Sequence, residues 1–340
     1  NVTVSFAKVT KEYDGNTNVP QSLVAPTVTG QLGSDSVGLA AGYQAAFESE
    51  KVQGKHGDGQ NHVNYSGLAL TNANYQLVNA EGTVITATTG TGEIKKRKLT
   101  DADMNTAFQI ANATKVYDGT AKVKYGDSDS LTEENGVRKY VTNQGAFQKD
   151  DGKGLGNQEI HIGYTITSAA YQDDASHPAS YVGTGTKTVK YAFKLDKENF
   201  DLSALTGVAE DGTFSKTTTT NTITKKTVTA SLDPGNFDKT YDGNTGVIQD
   251  VTNKIKLDGL TGNDGVELDK DKINAHYQSK NVAVDTNGKV KAQDIYYTAA
   301  LTGEAAVNYD LKGGDTNLDG TRKLTGQGTI KKAALTATIG

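Results

Sequence analysis

The chain has 340 residues with 38 glycines and no cysteine or tryptophan, and its 35 Lys and Arg against 40 Asp and Glu give a formal charge of −5. Without cysteine, disulfides, thiolate zinc sites and thiol catalysis are excluded, and the acidic balance argues against a nucleic-acid partner. The sequence holds no apolar run near the ~18 residues that span a bilayer, so we expect no membrane insertion of this chain.

Strand signals follow one another along the chain. Segments 2–7 and 84–87 have extended patterns, and 160–166 alternates strictly, with apolar side chains on one face. Segment 101–110 is compatible with one or two helical turns, and the Thr-rich patch 216–223 is interpreted as a polar loop leading into a strand. Because threonine favours strands and glycine favours turns, the composition also predicts an all-β fold.

Three sequence marks recur in the same order three times. The first is Lys-x-Tyr-Asp-Gly, beginning at Lys11, Lys115 and Lys239. The other two are an Asn-Tyr/Phe-x-Leu segment and a closing Ile followed by a Lys pair; they fall at 74–77, 199–202 and 308–311, and at 94–96, 223–226 and 330–332. Such ordered recurrence indicates an array of homologous units.

The marks divide the chain into predicted repeat domains, which we call repeats 1 to 3. Their bounds are 1–95, 96–224 and 225–331, with 332–340 as the start of a fourth repeat and a long insertion in repeat 2 around 127–156. These lengths suit sandwich domains rather than solenoid repeats. We therefore predict an all-β tandem array of three β-sandwich-like or β-grasp-like domains, cut from a longer array.

The junctions between repeats predict an elongated arrangement. They are poor in Pro and Ser and read as continuous strands crossing from one repeat to the next. A flexible spacer would need Gly- and Ser-rich linkers. A single globule of this length would have a radius of gyration of about 20 Å, whereas three domains in a row would give about 30–40 Å.

The Tyr-Asp-Gly triplet of each repeat is interpreted as a structural motif. Its residues are Tyr13, Asp14, Gly15, Tyr117, Asp118, Gly119, Tyr241, Asp242 and Gly243. Asp-Gly between extended segments predicts a hairpin turn, with the glycine at positive φ and the carboxylate accepting a backbone N–H. The tyrosine is expected to anchor the core; the alternative is a surface on which a sugar or another ligand stacks.

These marks resemble the YDG domain, which is related to MBG-type domains and occurs in tandem in very large bacterial surface proteins similar to filamentous haemagglutinins. The resemblance covers essentially the whole chain. Segment 46–54 is also similar to the family's Ala-x-Tyr/Phe stretch leading to Val-Gly, whereas 275–283 departs from it at the glycine. The resemblance implies an extracellular β-rich module, at a bacterial surface or secreted, whose partners are neighbouring repeats. It implies no particular receptor.

Catalytic and metal-binding motifs give little support to an enzyme or a cofactor. Gly-x-Ser-x-Gly, His-Glu-x-x-His, Walker and complete dinucleotide-binding patterns are absent from the sequence. The weak calcium candidates are Asp315, Asn317 and Asp319, which match half of an EF-hand loop without the final carboxylate. The segment 56–62, with two histidines, and the acidic residues of 127–134 are interpreted as solvated loops.

Two functions from different classes therefore stand. The first is a structural stalk that projects the adhesive regions of a bacterial surface adhesin. The second is direct binding of a host protein or glycan through exposed aromatic faces, whose candidate residues are Tyr164, Tyr171, Tyr181 and Tyr191, with Tyr296 and Tyr297 in repeat 3. An enzyme is not expected.

Overall fold

The computed structural model describes residues 1–337 apart from 56–59, 151, 153–154, 184, 234–236, 263, 315 and 318–320. Over these described residues the chain forms 24 β-strands and one α-helix of seven residues, so the fold is all-β as predicted. None of the helices in this part of the chain has the length and apolar character needed to cross a membrane.

The strands are grouped by the bounds of the three predicted repeats. In 1–95 they are β1 (Thr3–Phe6), β2 (Val9–Glu12), β3 (Pro26–Thr29), β4 (Gln44–Phe47), β5 (Asn61–Ser66) and β6 (Ala87–Lys95). In 96–224 they are β7 (Arg97–Lys98), β8 (Thr114–Val116), β9 (Ala146–Asp150), β10 (Asn157–His161), β11 (Tyr164–Tyr171), β12 (Lys187–Leu195), β13 (Phe200–Asp201) and β14 (Thr213–Thr224). The helix α1 (Asp101–Ala107) lies between β7 and β8.

In 225–331 the strands are β15 (Lys226–Leu232), β16 (Lys239–Thr240), β17 (Ile255–Asp258), β18 (Glu267–Leu268), β19 (Ala275–Tyr277), β20 (Gln293–Ala299), β21 (Leu301–Thr302), β22 (Tyr309–Lys312), β23 (Arg322–Gly328) and β24 (Ile330–Lys331). Short 3-10 turns occur at Gln21–Leu23, Val137–Tyr140, Thr252–Lys254, Lys270–Lys272 and Glu304–Asn308.

The same strand pairing occurs in each group and brings the sequence marks together. The strand with the Lys-x-Tyr-Asp-Gly motif runs parallel to the strand with the closing isoleucine, as β2 with β6, β8 with β14 and β16 with β24. The first strand of the group runs parallel to the Asn-Tyr/Phe-x-Leu segment, as β7 with β13 and β15 with β22, and through a bridge between Val2 and Leu77 in 1–95. Marks that are distant in sequence are therefore neighbours in the sheets.

Two compact units make up the chain. Unit 1 is Asn1–Asn112, Asp127–Ala169 and Lys190–Thr218, and unit 2 is Ala113–Gly126, Ala170–Val189 and Thr219–Gly340. The division into units differs from the division into sequence repeats, whose boundaries stay a prediction.

Each unit has an apolar core of its own. In unit 1 the sheet ordered β2-β6-β5-β4 packs its inner face against β1, where Phe6 stacks on Tyr65 with ring centroids 3.6 Å apart. In unit 2 Phe237, Tyr277 and Ile330 belong to a buried cluster between β16, β19 and β24. Burial of the large side chains on the inner faces of the strands stabilises each unit separately.

Several local predictions can be scored. The apolar face of 160–166 is buried as expected, although the segment is divided between β10 and β11. The helical turn forms as α1, with Thr100 and Asp103 making a reciprocal capping box at its start. The interpretation of 216–223 as a loop is wrong, because this patch lies inside the twelve-residue strand β14. The buried residues of this strand are Phe214, Asn221 and Ile223, whereas its threonines are half-buried or exposed.

Candidate functional site: the lysine-capped turn and the joint that follows it

A buried lysine holds the Tyr-Asp-Gly turn of repeat 1. The ammonium of Lys11 donates to Asp14 Oδ1 at 2.7 Å and to the carbonyl oxygens of Asn16 and Asn18 at 2.8 and 2.9 Å. The side chains of Lys11 and Asp14 are each 1 % exposed. Asp14 also accepts the backbone N–H of Asn16, which closes an Asx turn. The lysine therefore binds one carboxylate oxygen and two backbone carbonyls of the loop at once.

The other two repeats build the same cap. Lys115 donates to Asp118 Oδ1 at 2.7 Å and to the carbonyl of Thr120 at 2.6 Å. Lys239 donates to Asp242 Oδ1 at 2.8 Å and to the carbonyls of Asn244 and Gly246 at 2.8 and 3.0 Å. An aromatic ring lies 5.4 to 5.6 Å from each ammonium, and these rings belong to Phe47, Tyr171 and Tyr277. Such contacts with a ring face stabilise a cation withdrawn from water.

The turn is not a hairpin, so that prediction is wrong. The motif strand pairs in parallel with the closing strand, and the chain leaving the turn forms an isolated bridge to another strand, as between Asn18 and Ala46. The glycines do take positive φ, at +78°, +77° and +82° for Gly15, Gly119 and Gly243. After the turn the backbone leaves the motif strand and does not pair with it, because the lysine ammonium binds the loop carbonyls on one side of the turn.

Hydrogen bonding to the lysines of the caps lowers the pKa of two of the motif carboxyl groups. Burial alone would raise the pKa of Asp118, but hydrogen bonds from Lys115, Lys124 and Thr120 hold this pKa well below its usual range. The hydrogen bond from Lys239 likewise lowers the pKa of Asp242. The carboxylates are therefore fixed as anions, and they act as structural partners of the lysines rather than as proton carriers.

The tyrosine of the motif contacts the next sequence repeat. In unit 1 the ring of Tyr13 meets that of Phe200 edge to face, with centroids 5.2 Å apart and an interplanar angle of 81°. In unit 2 Tyr117 meets Tyr309 in the same way, at 5.3 Å and 79°. Phe200 and Tyr309 both come from the Asn-Tyr/Phe-x-Leu mark. We call this contact and the hydrogen bond beside it the joint.

The hydrogen bond of the joint uses the asparagine of the same mark. The backbone N–H of Val52 donates to Asn199 Oδ1 at 3.0 Å, and the N–H of Val182 donates to Asn308 Oδ1 at 2.7 Å. Asn199 is 9 % exposed and Asn308 is fully buried. The hydrogen bond gives the buried carboxamide oxygen a partner, which avoids the cost of leaving that oxygen unpaired.

A side chain within the preceding repeat presents that N–H. Asn61, Lys187 and Gln293 donate at 2.9 to 3.0 Å to the backbone carbonyl of the residue just before Val52, Val182 and Val282. These three donors differ in residue type and are all largely buried. Sequence reasoning assigned no contact to the asparagines, although they recur in the Asn-Tyr/Phe-x-Leu mark. It missed the donors because these do not recur as one residue type.

The tyrosines of the motif differ in burial, which corrects their interpretation as core anchors. Tyr117 is 3 % exposed, whereas Tyr241 is 40 % exposed. Burial, aided by Asp264 and Tyr309, raises the pKa of Tyr117 to about 12. The tyrosine is therefore buried by the joint and not by the turn that carries it.

The aromatic residues predicted to form a binding face lie mainly in the core. Tyr164, Tyr171 and Tyr191 are 6, 1 and 0 % exposed, so the prediction that they are exposed is wrong. Tyr181 is half-buried and lies edge to face with Tyr117, with centroids 6.3 Å apart. In the pair at 296–297, the second ring is buried and the first lies 5.2 Å from an ammonium, that of Lys323.

The weak calcium candidates gain no support. Asp315 and Asp319 lie outside the described residues, as do His56 and Asp58. The amide nitrogen of Asn317 donates to Thr321 Oγ1 at 2.7 Å within a local turn. Within the described ranges, no group of three or more His, Asp or Glu side chains is placed to hold a metal ion.

Comparisons with known proteins give weak likenesses. No protein-family model matches the chain, and no curated protein does. Among solved structures, the chain is similar to the protocadherin GammaB4 extracellular domain, with a TM-score of 0.24 and 8 % identity over 98 % of this chain. It is also similar to zebrafish RET cadherin-like domains 1 to 4, with a TM-score of 0.22 and 9 % identity over 97 % of this chain. A further likeness is to mouse cadherin-23 EC22-24, with a TM-score of 0.16 and 9 % identity over 98 % of this chain.

The chain spans 51 % of the protocadherin chain, 65 % of the RET chain and all of the cadherin-23 chain. With TM-scores below 0.5, these likenesses carry no argument about what the chain does.

Proposed function

We propose that the chain is a structural stalk of a bacterial cell-surface adhesin, extracellular or secreted, which projects adhesive regions without binding or catalysis of its own. The observation that carries the proposal is the joint, in which the Tyr13 and Phe200 pair of unit 1 recurs as the Tyr117 and Tyr309 pair of unit 2. A spacer needs a contact that each repeat can make with the next. The resemblance to tandem YDG domains supports the same role.

The burial of aromatic rings supports a spacer over a binding module. Direct binding of a host protein or glycan through aromatic faces depended on Tyr164, Tyr171 and Tyr191, whose rings are in the core. Hot spots of interfaces need aromatic side chains that a partner can reach. The stalk therefore accounts for more of the aromatic residues than the binding alternative does.

Two measurements test the proposal on the whole chain. In small-angle scattering, a stalk should give a radius of gyration of about 30–40 Å, and a value near 20 Å would contradict it. In a screen of glycans and host surface proteins, the stalk should bind none of them. Specific binding that survives high salt would favour the alternative, and chelation should leave the scattering unchanged if calcium plays no part.

A further inference from the structure

The long insertion of repeat 2 leads into a hairpin that reaches repeat 1. Strands β9 and β10 pair antiparallel to form this hairpin, which we call the arm. On β10 the carboxamide oxygen of Gln158 accepts a hydrogen bond from Asn16 Nδ2 at 3.0 Å. A Cβ built at Gly15 would lie 3.8 Å from the carbonyl oxygen of Glu159. The arm therefore lies on the Tyr-Asp-Gly turn of the preceding repeat, within unit 1.

Both carboxamides of that contact are oriented by their other hydrogen bonds. The carboxamide nitrogen of Gln158 donates to the carbonyl of Leu155 at 2.7 Å, inside the arm. The carboxamide oxygen of Asn16 accepts the backbone N–H of Asn18 at 2.8 Å, inside the turn. Because each side chain is held within its own element, little conformational entropy is lost when the arm and the turn meet.

The lysine cap beneath the arm is more shielded from water than the cap of repeat 2. The side chain of Asp14 is 1 % exposed, against 22 % for Asp118, whereas the lysines of the two caps are similarly buried, at 1 and 2 %. In repeat 2 the turn lies instead against Thr261, whose methyl would be 3.3 Å from a Cβ built at Gly119. The element that covers the turn therefore differs between the two caps, and so does the burial of the acid.

A residue in a strained backbone conformation directs the chain into the arm. Gln144 has φ +49°, and it is the only non-glycine residue at positive φ in the part of the chain that the structure describes. Its carboxamide oxygen accepts hydrogen bonds from Arg138 Nε at 3.0 Å and from the phenol of Tyr164 at 3.2 Å. Its carboxamide nitrogen donates to the carbonyls of Arg138 and Val141 at 2.9 and 2.6 Å. Since the left-handed region is unfavourable for a residue with a Cβ, these four hydrogen bonds hold the bend.

The turn beneath the arm adjoins both contacts of the joint. The carbonyl of Thr17 accepts the backbone N–H of Phe47 at 2.8 Å, at the end of β4. The chain continues from there to Val52, whose N–H makes the hydrogen bond of the joint. On the other side of the turn, Tyr13 packs edge to face on Phe200. A displacement of the turn would therefore disturb the hydrogen bond and the ring contact together.

We propose that the arm is a brace for the joint of unit 1, because it holds the turn of repeat 1 in place and so keeps the ring contact and the hydrogen bond of the joint closed. Gln158 makes the contact with the turn, and Gln144 positions the arm. The insertion of repeat 2 thus controls how readily this joint opens. The inference goes beyond the stalk function, since a joint that needs no brace would leave that function to be tested by scattering and the binding screen.

Amide hydrogen exchange of the whole chain, resolved by NMR, tests the proposal at the N–H of Val52. Local opening of the joint frees this N–H from its own partner and exposes it to solvent. Gln158→Ala removes the hydrogen bond to Asn16 and changes a half-buried side chain, so the chain should fold and exchange at Val52 should become about two- to tenfold faster. Gln144→Ala, which removes the hydrogen bonds that hold the bend, should change the rate in the same direction.

Gln148→Ala is the matched control, because this glutamine lies in the same arm and its carboxamide donates to Glu159 on the partner strand. Exchange at Val52 should keep its wild-type rate in this variant. The N–H of Val182, in the joint of unit 2, should keep its rate in all three variants. An unchanged rate at Val52 in Gln158→Ala, an equal rise there in Gln148→Ala, or an equal rise at Val182 would overturn the proposal. An unchanged rate at Val52 in a folded Gln144→Ala chain would overturn the positioning role of Gln144.

Discussion

The ring of Tyr117 lies edge to face on the ring of Tyr309, with centroids 5.3 Å apart and planes at 79°. The two residues are 192 positions apart and belong to different sequence repeats, so the contact joins parts of the chain that the marks alone do not connect. Edge-to-face aromatic pairs contribute about 0.5–1.5 kcal/mol beyond the area they bury. The stabilisation that this aromatic pair contributes to unit 2 therefore depends on the presence of the neighbouring repeat.

Replacing Tyr117 with Ala should destabilise unit 2 by about 3–5 kcal/mol, the usual range for truncating a buried aromatic side chain. The same change at Tyr241, which is 40 % exposed, should cost about 0.5 kcal/mol or less in a dilute solution of single chains. Urea unfolding followed by hydrogen exchange, resolved by peptide, measures both. Equal losses in the two variants would show that the turn rather than the joint sets the cost.

Removing the lysine of a cap should leave a buried carboxylate without its partner. Lys11→Met keeps the length of the side chain and should destabilise the turn of repeat 1 by about 3–5 kcal/mol, because Asp14 would be buried and unpaired. Lys8→Met is the control, since Lys8 forms a surface pair with Glu93 in which the side chains are 56 and 36 % exposed. Thermal unfolding should separate them, and a neutral Lys11→Met would contradict the role of the cap.

The glycine of the turn should tolerate few replacements because of its backbone alone. Gly243 has φ +82°, and a Cβ added there would meet nothing within 4 Å, so space is not the constraint. Gly243→Val should cost about 1–2 kcal/mol or more, whereas Gly243→Asn should cost less, because asparagine enters the left-handed region more readily. Chemical unfolding of the two variants gives the comparison. Equal stabilities would remove the argument from φ.

Stability should fall in alkali partly through Tyr117. Burial raises its pKa to about 12, against a value near 10 in the unfolded chain. The stabilisation that comes from a tyrosine whose pKa is raised on folding is fully present below about pH 10. This stabilisation is lost as the pH rises from about 10 to about 12. Tyr117→Phe should therefore lose less stability than the wild type between pH 8 and pH 11.5. Urea midpoints at the two pH values measure this, with Tyr241→Phe as the control.

Part of this architecture was predictable from residues and part was not. Alternation in 160–166 located a buried face, which already included Tyr164, so the same pattern spoke against that residue as a ligand contact. The triplet predicted glycines at positive φ but not the cap, although Lys11 stood in the motif. The joint was beyond sequence reasoning because its loop donors, Asn61 and Gln293 among them, share a position in space rather than a residue type.

The parallel pairing of β2 with β6, and of β8 with β14, has a mechanical consequence. The motif strand lies near the entry of its repeat and the closing strand leaves it, so a pull on the two ends draws the paired strands in opposite directions along their length. The backbone hydrogen bonds between the paired strands are then loaded in shear and must break together. In an antiparallel pair pulled from one end, these hydrogen bonds would break one after another. Forced unfolding follows the unfolding rate rather than the equilibrium free energy. We therefore expect single-molecule pulling to find repeats that yield at higher force than their stability in urea suggests.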